Sequence, residues 1–242
     1  MTRQNILITG ASAGIGAELA RQFAARGRTL ALCARRTDSL EELRDSLPGV
    51  KILVKALDVT DHDAVFEVFR SFADELGSLD RVIVNAGIGK GQPIGTGGFH
   101  ANRQTAETNF LGALAQCEAA MEVFRKQNAG HLVVMSSMAA LRGLPGNVTT
   151  YAATKAALSA LAEGIRVDTI TTPIAVTSIL PGYIRSEMNP NPGRLIADTV
   201  PAVRAMVAAI EREPKHAYVP PWPWRLMAPV LRHLPARVLK NL

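Results

Sequence analysis

The sequence has 242 residues, is 48% hydrophobic, carries a formal net charge of +6 and contains two cysteines, Cys33 and Cys117. This length and apolar content suit one large α/β core, and two cysteines are too few for the disulfide framework of a small secreted domain. The first residues lack the apolar region of a secretory signal, and no apolar run reaches the length of a membrane span, so we expect a cytoplasmic protein.

The distribution of charge and of histidine argues against two further classes. From Arg212 onward six basic residues accompany one acid, Glu213, which leaves residues 1–211 with only +1 of the total charge. A nearly neutral body without a basic stripe argues against a nucleic-acid partner. The five histidines are scattered, without the spacing of metal ligands, so we expect no metal site.

Apolar runs and longer segments of helical periodicity alternate along the chain. Continuous β-branched or leucine-rich runs are typical of parallel strands covered on both faces, and they occupy residues 5–9, 29–34, 51–57, 81–87, 131–137 and 174–182. Helical periodicity marks residues 13–27, 37–47, 61–77, about 101–127 and 151–167, and then 201–213, which a short strand at 216–220 follows. The alternation predicts right-handed crossovers and an α/β single-domain Rossmann fold, a doubly wound, mostly parallel sheet with helices on both faces.

A glycine-rich turn, "TGASAGIG" at residues 9–16, separates the first strand from the first helix. Gly10 permits a tight turn, Gly14 lets the backbone approach a pyrophosphate, and Gly16 allows the helix to pack closely on the sheet. The free N–H groups and the positive dipole end of the helix favour a phosphate there. We expect cofactor contacts along the whole turn, from Gly10, Ser12, Ala13, Gly14, Ile15 and Gly16; the alternative is a plain strand-to-helix turn.

The order of motifs resembles the short-chain dehydrogenase/reductase family over about residues 3–220. The glycine spacing Gly-x₃-Gly-x-Gly is followed by Asp58, "NAG" at 85–87, Asn109, a serine pair at 136–137, Tyr151-x₃-Lys155 and "PGYIRSEM" at 181–188. The resemblance implies hydride transfer between a nicotinamide cofactor and a ketone or secondary alcohol. It also implies a catalytic domain at 1–220 with an irregular substrate lid at about 187–200, and leaves residues 221–242 as a basic tail.

The end of the second strand predicts which nicotinamide cofactor is used. Rossmann proteins place an acid there to bind the ribose of NAD, or an arginine to accommodate the 2′-phosphate of NADP. Ala34 occupies the acidic position and is followed by Arg35 and Arg36. Two guanidinium groups without a carboxylate favour NADP(H) over NAD(H); the alternative is that both arginines are solvated residues at a helix start.

Further cofactor contacts follow from the resemblance. Asp58 is expected to bind the adenine amino group, although it is also a candidate N-cap of the next helix, and Val59 to pack on the adenine ring. Residues 85–87 lie where the fourth strand ends. The nicotinamide is expected to lie against the motif "PGYIRSEM" at residues 181–188. These expected contacts are Asp58, Val59, Asn85, Ala86, Gly87, Tyr151, Lys155, Pro181, Gly182, Ile184 and Ser186.

The catalytic assignment centres on Tyr151 and Lys155, which share a helix face four residues apart. A nearby ammonium and an oxidised nicotinamide would lower the phenol pKa from about 10, so that Tyr151 acts as acid or base near neutral pH. The resemblance makes Lys155 its electrostatic partner and a ribose ligand, Ser137 the group that orients the substrate oxygen, and Asn109 the holder of a relay water. Spacing to Tyr151 favours Ser137 over Ser136, which stays an alternative.

The last segment and the substrate are less defined. Seven apolar residues follow helical spacing among basic ones after Trp222 and Trp224; they are Leu226, Met227, Val230, Leu231, Leu234, Val238 and Leu239. This stripe predicts either peripheral contact with an anionic membrane or packing on the body or on a partner subunit. The family implies a homodimer or homotetramer, and the apolar lid and tail hint at a hydrophobic, acyl, lipid-like or steroid-like substrate. The rival function is a catalytically silent NADP-binding scaffold or membrane-associated sensor.

Overall fold

The computed structural model describes residues 3–185 and 196–240. Within them, one parallel sheet has the strand order β3-β2-β1-β4-β5-β6-β7. The strands are β1 Asn5–Thr9, β2 Thr29–Ala34, β3 Ile52–Ala56, β4 Arg81–Val84, β5 Gly130–Met135, β6 Ile174–Pro181 and β7 His216–Val219. Together with helices on both faces, this order confirms the predicted doubly wound Rossmann fold.

Helices cover both faces of the sheet, and the strands alternate their side chains between two cores. The helices are α1 Gly14–Ala24, α2 Thr37–Asp45, α3 His62–Leu76, α4 Phe99–Ala106, α5 Gly112–Gln127, α6 Thr149–Asp168, α7 Thr199–Glu211, α8 Pro221–His233 and α9 Ala236–Leu239. In β1, Ile6 and Ile8 pack with α1, α2 and α7, whereas Leu7 faces the side of α3, α5 and α6. This alternation is the two-residue period of a strand buried on both faces.

Two helix boundaries differ from the sequence-based expectation. The helix expected over about 101–127 begins at Phe99 and is interrupted by a π-helical turn, Glu107–Leu111, before α5. The expected lid at 187–200 ends inside α7, which begins at Thr199. The rest of that lid to residue 195, together with Ser186, lies outside the described residues.

The C-terminal segment packs on the body through Trp224 and through part of the predicted stripe. Trp224 and Ala228 of α8 form a small core with Met138 and Leu180. Leu226 and Val230, which the stripe placed with the apolar contacts, are exposed. Met227 and Leu231 of the same stripe pack against this core, so the helix turns one part of the stripe towards the body and leaves the other part exposed. In the described part of the chain, none of the helices has both the length and the apolar content to cross a membrane.

A buried polar cluster ties the end of α7 to the amino ends of the central strands. Arg81 of β4, only 1% exposed, donates from Nε to Nδ1 of His131 at 2.8 Å and forms an ion pair with Glu211 at 3.1 Å. Nε2 of His131 lies 2.9 Å from the Thr177 hydroxyl, which itself donates to the carbonyl of Pro214. His131 therefore accepts at Nδ1 and donates at Nε2, as a neutral imidazole does.

Candidate active site

A cleft of about 480 Å³ opens at the carboxyl ends of the strands. It lies at the topological switch point between β1 and β4, from which the sheet continues in opposite directions, and ligands of doubly wound sheets bind there. The predicted site residues that line it are Gly10, Ser12, Ala13, Gly14, Ile15, Gly16, Arg35, Arg36, Asp58, Val59, Asn85, Ala86, Gly87, Ser137, Tyr151, Lys155, Pro181, Gly182 and Ile184. The fold therefore brings motifs that lie far apart in the sequence around one cavity.

The glycine turn is packed too tightly for side chains at two positions. A Cβ on Gly16 would lie 2.3 Å from the carbonyl oxygen of Gly10, and one on Gly10, whose φ is +63°, would lie 2.9 Å from Cα of Ala86. Asn85 holds this turn against the neighbouring strand, because its Nδ2 donates to the carbonyl of Thr9 at 2.9 Å. No side chain caps the first turn of α1 at Ala13, so its N–H groups are available to a phosphate.

The arginines after the second strand lie at one side of the cleft. Arg36 approaches the hydroxyl of Ser12 from Nη2 at 3.3 Å, which brings it beside the glycine turn. Arg35 is largely exposed and lies 3.8 Å from the carboxylate of Asp58. Ala34 lines the cleft as well, so the position where an acid would stand carries no carboxylate, and two arginines follow it in the chain.

Asp58 does not cap the following helix. Its Oδ1 accepts from the backbone N–H of Thr60 at 3.0 Å and from the Thr60 hydroxyl at 2.8 Å. The N-cap of α3 is Asp61, whose side chain accepts from the N–H of Ala64 at 3.1 Å. Partial burial alone would raise the pKa of Asp58, but the two hydrogen bonds from Thr60 and the charge of Arg35 outweigh burial and lower that pKa.

Tyr151 and Lys155 project from the first part of α6 into the cleft. The ammonium of Lys155 lies 5.8 Å from the centroid of the Tyr151 ring and donates to the carbonyl of Met135 at 2.7 Å. Burial lowers the pKa of Lys155 to about 8, because the charged form loses hydration. The lysine is therefore mostly protonated at neutral pH but is held in an unfavourable environment.

The pKa of Tyr151 in the protein alone is shifted in the direction opposite to the expectation. Burial raises the pKa of the phenol, the hydrogen bond from Ser137 opposes that rise, and the nearby Tyr183 adds to it. The expectation counted the charges of Lys155 and of an oxidised nicotinamide but left out the loss of phenolate hydration on burial.

The two serines at the end of β5 have different partners. The hydroxyl of Ser136 is buried, donating to the carbonyl of Lys155 at 3.0 Å and lying 2.6 Å from the hydroxyl of Ser159. Ser137 accepts from the N–H of Ala139 at 3.1 Å and hydrogen-bonds to Tyr151. This geometry gives Ser136 a packing role between β5 and α6 and directs Ser137 towards the phenol.

Asn109 lies in the π-helical turn and is completely buried. Its Oδ1 accepts from the N–H of Ile88 at 2.7 Å, and its Nδ2 donates to the carbonyl of Ile88 at 2.8 Å. A Cβ on Gly87 would lie 3.2 Å from this Oδ1 and 3.6 Å from Nζ of Lys155. Asn109 therefore fixes the segment after β4 directly beside the buried lysine, and short π-helical turns often occur at functional sites.

Comparison with known proteins agrees with this geometry. The family model described as short chain dehydrogenase matches residues 4–194. The chain belongs to the short-chain dehydrogenase/reductase family. An uncharacterized oxidoreductase of Mycobacterium tuberculosis is 50% identical over 100% of this chain and 98% of its own length.

Solved structures of this family share the fold over most of their length. An alcohol dehydrogenase from the archaeon Thermococcus sibiricus, complexed with 5-hydroxy-NADP, superposes with a TM-score of 0.79 at 25% identity, covering 89% of this chain and 95% of its own. The closed form of a serine dehydrogenase complexed with NADP⁺ gives a TM-score of 0.80 at 25% identity, covering 90% of this chain and 95% of its own. The chain is thus an oxidoreductase of the family that uses a nicotinamide cofactor.

The cleft of this short-chain dehydrogenase fits a dinucleotide on its own geometry. The first turn of α1 is uncapped beside the glycine turn, and Arg35 and Arg36 line the same cleft. The glycine turn would hold the pyrophosphate, Asp58 and Val59 the adenine, and Lys155 the nicotinamide ribose. Ser186, the expected carboxamide contact, lies outside the described residues.

Several residues of the site did not stand out in the sequence. Leu57, Ile88, Thr108 and Met135 also line the cleft. Thr9, inside the glycine motif, accepts at its hydroxyl from the N–H groups of both Asn85 and Ala86, at 3.0 and 3.1 Å. A threonine at a strand end was the available signal for this bridge, because hydroxyl groups there commonly bond to a neighbouring backbone.

Proposed function

We propose that the protein is an NADP(H)-dependent oxidoreductase that transfers hydride between the nicotinamide and a ketone or secondary alcohol. The observation that carries the proposal is the grouping of Tyr151, Ser137 and the buried Lys155 in the cleft that the glycine turn lines. A phenol, a hydroxyl and an ammonium are the groups that polarise a carbonyl and deliver a proton to it. The bound cofactor supplies the hydride chemistry.

In the reducing direction Tyr151 donates its proton from Oη to the carbonyl oxygen of the substrate. Ser137 turns its one hydroxyl hydrogen from the phenol to the same oxygen and shares the charge that develops there. The Lys155 ammonium, 5.8 Å from the centroid of the phenol ring, favours the phenolate left behind and opposes the cost of burying that anion. Asn109 supports proton return to Tyr151 by holding a relay water and the backbone of Ile88 beside Lys155.

The preference for NADP(H) rests on the groups that end β2. Arg35 and Arg36 both line the cleft, and the residue before them, where an acid would bind the ribose of NAD, is Ala34. Guanidinium groups bind a 2′-phosphate through charge-assisted hydrogen bonds. Two solved relatives of similar fold are described as NADP complexes, which supports the same choice here.

A hydrophobic carbonyl or alcohol substrate is favoured by the side chains around the catalytic group. Ile88 lines the cleft, and the 3₁₀ turn Met138–Leu141, which begins directly after Ser137, carries two large apolar residues. The serine dehydrogenase relative shows that this fold also accommodates small polar substrates, since function follows from the site rather than from the fold.

We assign residues 1–220 to catalysis, the segment about 187–200 to a substrate lid, and the protein to the cytoplasm.

A homodimer or homotetramer is the assembly that we propose. Phe99, Leu111 and Val148 are large apolar residues exposed near the helices that carry Asn109 and Tyr151. Association through this region would cover them, since exposed apolar patches commonly mark interfaces. Light scattering of the wild type and of Leu111→Lys measures this: a smaller particle for the variant supports the assignment, and an unchanged oligomer contradicts it.

A peripheral contact of the tail with an anionic membrane is a further part of the proposal. Leu226 and Val230 are exposed on α8 beside Arg225 and Arg232, and the sequence contains no acidic residue after Glu213. Apolar side chains flanked by cations suit an anionic lipid surface. The protein is expected to co-sediment with phosphatidylserine vesicles but not with phosphatidylcholine vesicles. Failure to sediment with either kind of vesicle would contradict the proposed membrane contact.

NADPH oxidation against a panel of hydrophobic ketones and 3-oxoacyl thioesters tests the activity. Turnover of at least one of them, saturable in NADPH, is expected. Tight binding of NADPH without turnover on any member would favour the rival reading, an NADP-binding scaffold or membrane-associated sensor of the same fold. The complete set of Asn109, Ser137, Tyr151 and Lys155 in one place argues against that reading.

A further inference from the structure

We propose that the C-terminal helix α8 is a working part of the active site, in which Trp224 acts as the positioning residue for the nicotinamide end of the cleft. The inference rests on the proposed placement of the nicotinamide against residues 181–184. It adds a residue that lies outside the family match, which ends at residue 194, and outside the cleft lining.

The first support is the contact between Trp224 and Gly182. A Cβ on Gly182 would lie 2.0 Å from Nε1 and 2.1 Å from Cε2 of the Trp224 indole. The indole thus occupies the space beside Cα of Gly182, while Gly182 lines the cleft from its other side. The backbone N–H of Gly182 also donates to the carbonyl of Val219 at 2.9 Å, just before α8. The position of this turn therefore depends on the segment that leads into α8.

The second support is that α8 also contacts the loop after the catalytic serine. Trp224 and Ala228 pack with Met138, the residue after Ser137. Further along the helix, the carbonyl of Arg232 accepts from Nη1 of Arg142 at 2.6 Å, at the end of the 3₁₀ turn Met138–Leu141. One helix thus holds both the nicotinamide turn and the serine loop.

The third support is the aromatic neighbour of Trp224. The rings of Tyr183 and Trp224 lie 6.0 Å apart between centroids with an interplanar angle of 58°, a favourable tilted arrangement. Tyr183 is near enough to Tyr151 to raise the pKa of its phenol. The ring of Tyr183 therefore lies close both to Trp224 of α8 and to the catalytic phenol of Tyr151.

Packing rather than hydrogen bonding explains the position of Trp224. The residue is 3% exposed, and its Nε1 has no hydrogen-bond partner among the described residues. A side chain that acts by shape is replaced in part by another aromatic ring of similar thickness. Trp222, two positions earlier, is 74% exposed and has non-helical backbone angles at the start of α8; it provides a control of the same residue type in the same segment.

Binding measurements separate a positioning role from a general loss of structure. NADPH and 2′-phospho-ADP-ribose share the adenosine and pyrophosphate portions, but only NADPH carries the nicotinamide. In Trp224→Ala we expect the Kd for NADPH to rise about tenfold, equal to about 1.4 kcal/mol, with the Kd for 2′-phospho-ADP-ribose unchanged. Trp224→Phe is expected to restore most of the NADPH affinity, and Trp222→Ala to change neither ligand.

The contact with Gly182 is tested by a double-mutant cycle. Gly182→Ala introduces a methyl group into the indole and is expected to weaken NADPH strongly in the wild type, but much less in the Trp224→Ala background. Such non-additivity is the signature of two residues in direct contact. Additive effects would overturn the proposed coupling, and so would equal weakening of NADPH and 2′-phospho-ADP-ribose in Trp224→Ala, or weakening of neither.

Turnover supplies the catalytic readout once the ketone panel has yielded a substrate. At saturating NADPH, kcat of Trp224→Ala is expected to fall by about 10- to 100-fold, because a misplacement of about 1 Å costs up to 100-fold. An unchanged kcat overturns the catalytic part of the inference. Because the binding experiments require no turnover, failure of the oxidoreductase proposal and failure of the Trp224 proposal give different results.

Discussion

Replacing Lys155 by methionine is expected to stabilise the folded protein while removing its activity. The lysine is buried and its pKa is lowered to about 8 from the ordinary value of 10.5. That difference corresponds to about 3 kcal/mol of unfavourable free energy for the charged form in the folded state at pH 7. Methionine has a similar length and carries no charge, so the variant avoids this cost.

The gain is reduced by one lost hydrogen bond. Nζ of Lys155 donates to the carbonyl of Met135 at 2.7 Å, and leaving that acceptor unpaired costs about 1–2 kcal/mol. We therefore expect Lys155→Met to raise the free energy of unfolding by about 1–2 kcal/mol at pH 7. Destabilisation of functional groups in the free enzyme is a common cost of activity.

The pH dependence gives this prediction its sign. The folded pKa is the lower of the two, so the wild type has no penalty above pH 10.5, where the lysine is neutral in both states. Stability is lost as the pH falls from 10.5 towards about 8, and the penalty is constant below that. The advantage of Lys155→Met should therefore be full at pH 7, shrink above pH 8, and reverse near pH 10.5 because of the lost hydrogen bond.

Equilibrium unfolding in urea, followed by circular dichroism at pH 7 and pH 10, measures the effect. The exposed Lys126→Met is a matched control and is expected to leave stability nearly unchanged. A Lys155→Met variant that is no more stable than the wild type at pH 7 would refute the argument from desolvation. The same conclusion would follow if its advantage did not decline between pH 8 and pH 10.

Four further outcomes are expected. Tyr151→Phe should lower kcat by about 100-fold or more, since it removes the general acid, with NADPH affinity unchanged; substantial turnover would reject the assigned acid. Ser137→Ala should lower kcat by about 100-fold or more, whereas Ser136→Ala should keep kcat and lose only stability. If steady-state kinetics show a larger loss of kcat in Ser136→Ala than in Ser137→Ala, Ser136 is the catalytic serine. Arg35→Ala should raise the Kd for NADPH by about 10- to 100-fold, as expected for a charge-assisted contact, and affect NADH far less; equal weakening in fluorescence titrations would contradict binding of the 2′-phosphate. Burial lowers the pKa of His131 from 6.5 to about 3. The free energy of unfolding should therefore fall as the pH drops below 6.5, by about 3 kcal/mol at pH 4.5. If urea unfolding of His131→Gln depends on acid pH in the same way as the wild type, His131 is not the cause.

The active site shows how far local patterns reach. Most of the residues that line the cleft were predicted from short motifs, because each motif requires particular residue types at one chain position, such as the glycines between β1 and α1. The prediction that Tyr151 and Lys155 share a helix face needed only the helical period. The fold class followed from the alternation of strand and helix patterns, which few other architectures can accommodate.

Other features depend on contacts between distant parts of the chain. Asp61 caps α3, and Asp58 does not, because the helix begins at His62. Asn109 lies in a π-helical turn, where its side chain accepts a hydrogen bond from the distant N–H of Ile88. The direction of the pKa shift of Tyr151 was decided by burial, which depends on every element packed around the phenol. None of these quantities can be read from residue spacing.

The sequence by itself determined the family, the parallel sheet and the motif residues that converge on the cleft, because these follow from local periodicity and from residue types at fixed spacing. Only the tertiary structure decided that Trp224 is buried against Gly182 while Trp222 is exposed, and that Lys155 is held by a carbonyl away from water. The physical reason is that burial and close contact are summed over residues far apart in the chain, and the free energies that bear on the proposed chemistry depend on that sum.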